Sequence, residues 1–325
     1  MNPLLNRSIR IFLISFILFT IFSSLLRIDP ALAILLLIVG IAGPMAYVYY
    51  VYQRGALMTL RGDVQGAITH YERVLNMGLP MDRAFLLSRL ASLKHANGDT
   101  VGAIDAYTRA IQFSPQDPTL YAVRSALHIV RRDFNQALQD ANKLLELRPD
   151  SEVGFGNRAN ANIYLGNYNA AIADCNAGLA VENSTPVGEA LLYNNRGTAE
   201  RMLGHLSAAL SDYNRALAIT IPEVAKRGVY PAIHTNQGFV YALNGDNEQA
   251  RAFFRMALRH QPEFTRAQAA LAALDYLEGN PQAAVTSWRS LLDRDLAYGR
   301  PEDALRELQF PPHMADAARA IIAQV

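Results

Sequence analysis

Hydrophobic and polar positions follow a helical period along most of the chain, and the same amphipathic segment recurs. The stretch GHLSAALSDYNRAL at residues 204–217 has six similar copies, which begin at residues 62, 98, 132, 166, 245 and 279. Successive copies therefore start 36, 34, 34, 38, 41 and 34 residues apart. A recurring spacing near 34 residues predicts stacked helix-turn-helix units, each of which buries its apolar face only against its neighbours.

Small residues hold fixed positions within each copy. The sixth residue is always alanine: Ala67, Ala103, Ala137, Ala171, Ala209, Ala250 and Ala284. Four residues later five copies carry a large side chain: Tyr71, Tyr107, Tyr213, Phe254 and Trp288. An upstream amphipathic segment carries another small residue in each unit: Gly55, Ala91, Ser125, Ala159, Gly197, Gly238 and Ala272. This pairing of a small with a large position predicts two helices that cross closely.

These positions resemble the tetratricopeptide repeat, in which small residues occupy positions eight, twenty and twenty-seven and a proline often closes the unit. The resemblance implies an all-α fold, a right-handed solenoid of about seven helix-turn-helix repeats, which we place at residues 48–81, 84–117, 118–151, 152–185, 190–223, 231–264 and 265–298. Pro115, Pro149 and Pro262 should each end a second helix, because proline lacks the amide hydrogen. We expect the additional residues 186–189 and 224–230 to lengthen turns.

The N-terminus has a different composition. Residues 11–26 and 31–53 contain no charged side chain, and a membrane-spanning helix needs about 20 apolar residues. We therefore predict a transmembrane helical hairpin at residues 1–47, with spans at about 9–27 and 31–52, the second running into the first repeat. Arginines flank the outer ends of both spans, which favours a cytoplasmic, or stromal, position for the repeats. A cleaved signal peptide ending near the ALA at residues 31–33 is the alternative.

The C-terminal residues 299–325 are expected to form capping helices. Here apolar residues recur with helical spacing: Met314, Ala317, Ala318, Ile321, Ile322 and Val325. A solenoid leaves the apolar face of its last unit uncovered, so a terminal helix that covers this face is the expected role. A partner-binding helix is the alternative.

Charge and motif content favour recognition over catalysis. The net charge is +1, which makes the chain a poor partner for nucleic acid. The single cysteine, Cys175, excludes an internal disulfide, and its register predicts a buried structural thiol. No metal-ligand pair, phosphate-binding loop or catalytic constellation occurs among the seven histidines and the glycine-rich turns. We therefore expect no enzyme activity, no cofactor and no metal site.

In proteins similar to this one, the first helices of the repeats line a groove that binds a peptide. The resemblance implies these peptide-groove candidates: Asn160, Tyr164, Asn194, Thr198, Arg201, Thr235 and Phe239. Chaperone-binding members grip a carboxylate with lysine and arginine at positions where this chain has none, so a chaperone-tail clamp is not expected. Asn160, Asn194 and Arg201 are the preferred ligand contacts. Asn157, Asn195 and Asn236 share a position at which asparagine braces adjacent helices.

The function expected from these features is a membrane-anchored scaffold, with the lipid bilayer contacted through residues 9–52 and a protein or peptide partner bound in the groove. Similar anchored repeat proteins serve as assembly factors, and this resemblance implies assembly of a membrane complex as the process. The alternative is a chaperone-like or targeting receptor that binds apolar client segments, since the groove carries little charge. A third hypothesis is an accessory region for an enzyme encoded elsewhere.

Overall fold

A computed structural model of the protein describes residue 51 and residues 53–77, 82–294 and 296–325. The predicted hairpin at residues 1–47 and its spans at about 9–27 and 31–52 lie almost entirely outside these residues. Among the residues that the structure does describe, no helix combines the length and the apolar character needed to cross a bilayer. The chain divides into two compact units, one ending at Pro115 and one comprising Gln116–Val325.

Every regular element within the described residues is a helix. In the first unit a helical segment at residues 53–60 precedes α1 (Val64–Asn76), α2 (Arg83–Ala96) and α3 (Thr100–Phe113). The second unit contains α4 (Pro118–Val130), α5 (Phe134–Leu147), α6 (Glu152–Tyr164), α7 (Tyr168–Leu179), α8 (Pro186–Met202), α9 (Leu206–Ala218), α10 (Glu223–Leu243), α11 (Asn247–His260), α12 (Thr265–Leu277), α13 (Pro281–Leu292), a 3-10 turn (Leu296–Gly299), α14 (Pro301–Leu308) and α15 (Pro312–Ile322).

Within the second unit, helices alternate as first and second members of pairs, as the repeat pattern predicts. The pairs are α4 with α5, α6 with α7, α8 with α9, α10 with α11 and α12 with α13. Each first helix also contacts the first helix of the next pair: α4 contacts α6, α6 contacts α8, α8 contacts α10, and α10 contacts α12. The first helices therefore form one continuous layer, and their side chains line one face.

Close crossing explains the conserved register of small residues inside this chain. The seven alanines at the sixth position of the copies are all fully buried. A Cβ atom added at Gly197 would lie 2.8 Å from Cε1 of Tyr213, so the glycine makes room for the tyrosine ring of the paired helix. Between paired helices, turn glycines such as Gly204 adopt φ near +84°, a conformation that costs other residues about 1 kcal/mol.

Two predicted turns are helical instead. Residues 186–189 form the first turn of α8, because Thr185 caps the helix by accepting a 3.0 Å hydrogen bond from the Gly188 amide and Pro186 fits the first helical position. Residues 224–230 belong to α10, a 21-residue helix that continues through Pro231. Burial of the apolar side of α10 against α9 stabilises the helix on both sides of this proline.

Helix ends agree with the predicted proline positions. α3, α5 and α11 end at Phe113, Leu147 and His260, two residues before Pro115, Pro149 and Pro262 respectively. At the C-terminal end, α15 packs against α12 and α13. Five of the six residues of its apolar stripe are buried, whereas Val325 is 39% exposed. The stripe is therefore shorter than its sequence period indicates.

Candidate functional site

The seven candidate residues lie on three successive first helices of the second unit. Asn160 and Tyr164 are on α6, Asn194, Thr198 and Arg201 on α8, and Thr235 and Phe239 on α10. The two residues on α6 are half-buried, whereas the five on α8 and α10 are buried. The groove surface is thus accessible along α6 and covered along α8 and α10.

Two of the buried candidates hold α8 and α10 together. The side-chain amide of Asn236 donates hydrogen bonds to Asn194 Oδ1 at 2.9 Å and to Thr198 Oγ1 at 3.1 Å. Tyr213 Oη donates to the same Thr198 oxygen at 3.4 Å. Buried polar groups that satisfy one another in this way fix the spacing of helices. The structure therefore gives Asn194 and Thr198 bracing contacts, which the sequence had assigned to Asn236 and its counterparts.

The two other bracing asparagines also bridge neighbouring first helices. Asn157 Nδ2 donates to the Ala122 carbonyl oxygen of α4 at 2.9 Å, and Asn195 Nδ2 donates to the Gly156 carbonyl oxygen of α6 at 3.4 Å. The candidate Tyr164 on α6 makes a different contact. The Tyr164 ring stacks on the Phe134 ring with centroids 4.4 Å apart. Thr235 Oγ1 donates to the Pro231 carbonyl oxygen at 2.7 Å, which makes its hydroxyl part of α10.

Arg201 and Phe239 form a second cluster, which the C-terminal part of the chain covers. The Arg201 guanidinium lies 5.3 Å from the Phe239 ring centroid, and its Nη1 donates to the Gln309 carbonyl oxygen at 3.2 Å. Arg266, on α12, lies 5.1 Å from the same ring. Its Nε donates to the Leu308 carbonyl oxygen at 3.0 Å. Two arginines of the first-helix layer therefore bind the last carbonyl groups of α14.

The segment that covers this cluster is the turn Leu308–Phe310, between α14 and α15. The Phe310 ring lies 5.4 Å from the Phe239 ring at an interplanar angle of 62°, a favourable edge-to-face geometry. Gln309 Oε1 accepts a 3.3 Å hydrogen bond from Arg266 Nη2, and the Gln309 backbone has φ of +49°. Carbonyl oxygens at a helix C-terminus lack intrahelical partners and carry partial negative charge, which suits them to guanidinium donors.

One feature of Arg201 is unusual for a buried cation. Its side chain is 3% exposed, yet Nε and Nη2 have no hydrogen-bond partner among the described residues. The Tyr213 hydroxyl is nearby: burial raises the pKa of Tyr213, and the charge of Arg201 and its hydrogen-bonding contact with the hydroxyl oppose that rise. This neutral hydroxyl does not balance the guanidinium charge. Burying guanidinium donors without acceptors is costly. Arg201 therefore has unused capacity to bind an anionic group.

Buried aspartates bind three other arginines of the second unit. Arg124, Arg158 and Arg196 each bind an aspartate sixteen residues later in the paired helix through Nε and Nη2: Asp140, Asp174 and Asp212. Each of these guanidiniums also lies between 5.2 and 5.8 Å from an aromatic ring three residues earlier. We call these three successive arginine–aspartate pairs the arginine–aspartate ladder. Sequence reasoning missed it, although three consecutive units each have arginine at position seven and aspartate at position twenty-three.

Sequence reasoning also missed Arg266, Gln309 and Phe310. No local pattern connects Arg266 to a turn about forty residues later, so only the folded chain brings them together.

Two other side chains of the second unit have shifted pKa values. Burial lowers the pKa of His234 on α10, and the nearby His260 lowers it further. The two histidine rings stack with their centroids 5.6 Å apart. Burial raises the pKa of the Cys175 thiol well above its usual range. No cluster of three potential metal ligands occurs within the described ranges.

The first unit has a groove of its own. A cavity of about 520 Å³ lies between the helical segment at residues 53–60 and α2, and its lining includes Thr59, Tyr71, Phe85 and Arg89. Phe85 is 42% exposed, and Leu60 is 84% exposed. Phe85 and Leu60 are therefore exposed apolar side chains at this surface. The Arg89 guanidinium lies 5.1 Å from the Phe85 ring centroid.

Sequence comparison with known proteins gives matches that each cover only part of this chain. The family model described as Tetratricopeptide repeat matches residues 61–118. The TPR repeat-containing thioredoxin TDX of Arabidopsis thaliana is 30% identical over 89 residues, which are 27% of this chain and 23% of that protein. The Heat shock protein sti1 homolog of Schizosaccharomyces pombe is 38% identical over 77 residues, 24% of this chain and 13% of that protein. The matches thus span less than a quarter of these relatives.

Solved structures match over more of the chain. A tetratricopeptide repeat protein from Parabacteroides merdae has a TM-score of 0.64 at 14% identity, covering 85% of this chain and 98% of that one. The protein TTC0263 of Thermus thermophilus has a TM-score of 0.50 at 21% identity, covering 59% of this chain and 98% of that one. At these identities the likeness concerns the fold alone. The family model thus identifies tetratricopeptide repeat sequence at residues 61–118, and the likeness to the solved structures extends the same fold over most of the chain.

Proposed function

We propose that the protein is a membrane-anchored scaffold that binds a segment of a protein partner in the groove lined by its first helices. The observation that supports this proposal is the turn Leu308–Phe310, a peptide segment that already lies against this layer. Arg201 and Arg266 bind its carbonyl oxygens, and Phe239 contacts its aromatic ring. A surface with donors for backbone carbonyls and an aromatic contact has the chemistry needed to bind a peptide.

The accessible part of the groove, on α6, provides a test. We expect a chain with Asn160→Ala and Tyr164→Ala to lose a set of proteins that the intact chain captures after crosslinking in detergent-solubilised membranes. The matched control carries Asn169→Ala and Ser211→Ala, which change exposed positions on the second helices α7 and α9. Circular dichroism of each variant checks that the helices persist. Capture of the same proteins by the groove variant and the intact chain would contradict the groove assignment.

The membrane anchor is a separate part of the proposal, and it rests on the uncharged runs at residues 11–26 and 31–53. Anchoring would confine the repeats to the membrane surface and so raise the local concentration of a bound partner near a membrane complex. We expect the chain to remain in the membrane pellet after extraction with alkaline carbonate. Recovery of the chain in the soluble fraction would refute the anchor and leave the groove proposal unchanged.

A second candidate function is capture of apolar client segments, which the surface around Leu60 and Phe85 favours. The two functions differ in their electrostatics. Binding through Arg201 and Arg266 should weaken as salt screens the charges, whereas capture by Leu60 and Phe85 should not. Pull-downs at low and high salt, with Phe85→Ser as the variant, separate them. We propose no catalytic role for either surface, and turnover by the purified chain alone would overturn that.

A further inference from the structure

The cluster of Arg201, Phe239 and Arg266 is covered by a segment that does not use all of its binding capacity. The turn Leu308–Phe310 supplies carbonyl oxygens to one donor of Arg201 and one of Arg266, and its glutamine side chain supplies a neutral oxygen to the second Arg266 donor. In the part of the chain that the structure describes, no acceptor lies within hydrogen-bonding geometry of Nε or Nη2 of Arg201, although the residue is only 3% exposed.

Other arginines of the same protein show which acceptor those two donors bind. Nε and Nη2 of Arg196 bind the two carboxylate oxygens of Asp212 at 2.8 and 2.7 Å, and Arg124 binds Asp140 with the same pair of nitrogens. This side of the guanidinium matches one carboxylate with two parallel hydrogen bonds, the strongest arrangement that arginine makes. None of the ion pairs among the residues with described positions includes Arg201.

The covering segment also has features of an occupant that can leave. Gln309 holds φ of +49°, a left-handed conformation that costs a non-glycine residue about 1 kcal/mol. Phe310 is only partly buried, and Gln309 and Phe310 connect α14 to α15 without belonging to either helix. α15 has its own buried contacts with α12 and α13. Gln309 and Phe310 can therefore move away while α15 and the fully buried Leu308 stay attached.

We propose that this cluster is a binding site for a partner segment in which an acidic residue precedes an aromatic one, and that Gln309 and Phe310 occupy the site until the partner displaces them. The inference rests on the proposed function and names the chemistry of the peptide. The partner's ring takes the place of Phe310 on Phe239. Its carboxylate takes the place of the neutral Gln309 side chain, beside Arg266, and reaches the free donors of Arg201.

Displacement determines how the affinity should respond to mutation. When a site is open for only a fraction of the time, the apparent dissociation constant equals the intrinsic constant divided by that fraction. Phe310→Ala removes the aromatic contact with Phe239 and so increases the open fraction. It leaves unchanged Arg201 and Arg266, which donate hydrogen bonds to carbonyl oxygens. Binding of an external peptide should therefore become tighter in this variant, although the substitution lies outside the surface that the peptide contacts.

The experiment uses the full chain in detergent and two fluorescein-labelled peptides, residues 303–313 of this chain and the same peptide with Gln309→Glu. Fluorescence anisotropy measures their dissociation constants. We expect the Phe310→Ala chain to bind the acidic peptide about tenfold more tightly than the unsubstituted chain does. We expect it to prefer the acidic peptide to the neutral one by about tenfold, since hydrogen bonds to charged groups are stronger than neutral ones.

Arg201→Lys in the Phe310→Ala background tests the donors, because lysine keeps the charge and loses the paired geometry. The preference for the acidic peptide should fall to about threefold or less, while Arg259→Lys, at an exposed position on α11, should leave it unchanged. Thermal unfolding followed by circular dichroism checks that each variant is folded.

Three results would overturn the inference: equal binding by the Phe310→Ala and unsubstituted chains, equal binding of the two peptides, and no binding of either peptide to any chain. If the α6 variant of the pull-down still loses its partner in those cases, the proposed function stands and only the acidic-aromatic site is wrong. If the pull-down is also unaffected, both fail.

Discussion

Gly238 on α10 offers the sharpest test of the packing that holds the first-helix layer to the second helices. A Cβ atom at this position would meet the Phe254 ring, with Cδ1 at 2.7 Å and Cζ at 3.0 Å. Phe254 is fully buried, so its ring has little room to move. Overpacking of this kind costs about 1–3 kcal/mol, whereas the higher helix propensity of alanine returns at most about 1 kcal/mol. We expect Gly238→Ala to lower the free energy of unfolding by about 1 kcal/mol or more.

Gly228 supplies a control in the same helix. It is exposed, and an added Cβ would have no neighbour within 4 Å. Gly228→Ala should therefore raise the free energy of unfolding by about 0.5–1 kcal/mol. Trp288, the single tryptophan, is fully buried in the second unit and reports its unfolding by fluorescence in urea. If Gly238→Ala proved as stable as Gly228→Ala, the close crossing of α10 and α11 would be refuted.

Three further predictions concern charge and burial in the second unit. Arg196→Ala leaves the buried Asp212 carboxylate without its partner and should lower the free energy of unfolding in urea by about 3 kcal/mol. Arg259→Ala should change that free energy by less than about 0.5 kcal/mol. Equal effects of the two substitutions would contradict a stabilising role for the arginine–aspartate ladder. Burial lowers the pKa of His234 below 6.5, so its stabilising contribution is complete above that pH and is lost as the pH falls through the folded-state pKa. His234→Gln should therefore lose less stability than the unsubstituted chain between about pH 7 and 5.5, and an identical loss would contradict the assignment. Burial raises the pKa of Cys175, so a thiol reagent should label it only in denaturant, and rapid labelling of the folded chain would show that the thiol is accessible.

The sequence contains enough information to predict the helix pairs, because each pair depends on contacts between residues close in the chain. The alanine at the sixth position and the large residue four positions later fix both the helix period and the crossing point. Prolines after α3, α5 and α11 mark helix ends for a local chemical reason. The prediction of turns at the additional residues 186–189 and 224–230 was wrong: they form the N-terminal parts of α8 and α10. Pro186 starts a helix, and Pro231 is tolerated because its neighbours are buried.

The sequence predicts which helix face forms the groove, but it does not predict the contacts of the side chains on that face. Arg201 and Phe239 could be proposed as groove candidates from their positions within the repeat, because these positions place them on the first helices. Their actual surroundings depend on Gln309 and Phe310, which no periodic pattern relates to them. The role of Asn194 was likewise missed, because a hydrogen bond from Asn236 depends on the distance between two helices. Long-range contacts between irregular segments and repeats have no local signature in a single sequence.

Site-specific photocrosslinking tests the central claim, that the first-helix groove binds the partner, most directly. A photoreactive amino acid replaces Asn160 in the accessible groove on α6, and in a second chain it replaces Ser211 on the exposed side of α9. Both chains are irradiated in native membranes and their crosslinked products are identified by mass spectrometry. We predict a discrete crosslinked partner from position 160 and none of that partner from position 211. The same partner from position 211 alone would contradict the account.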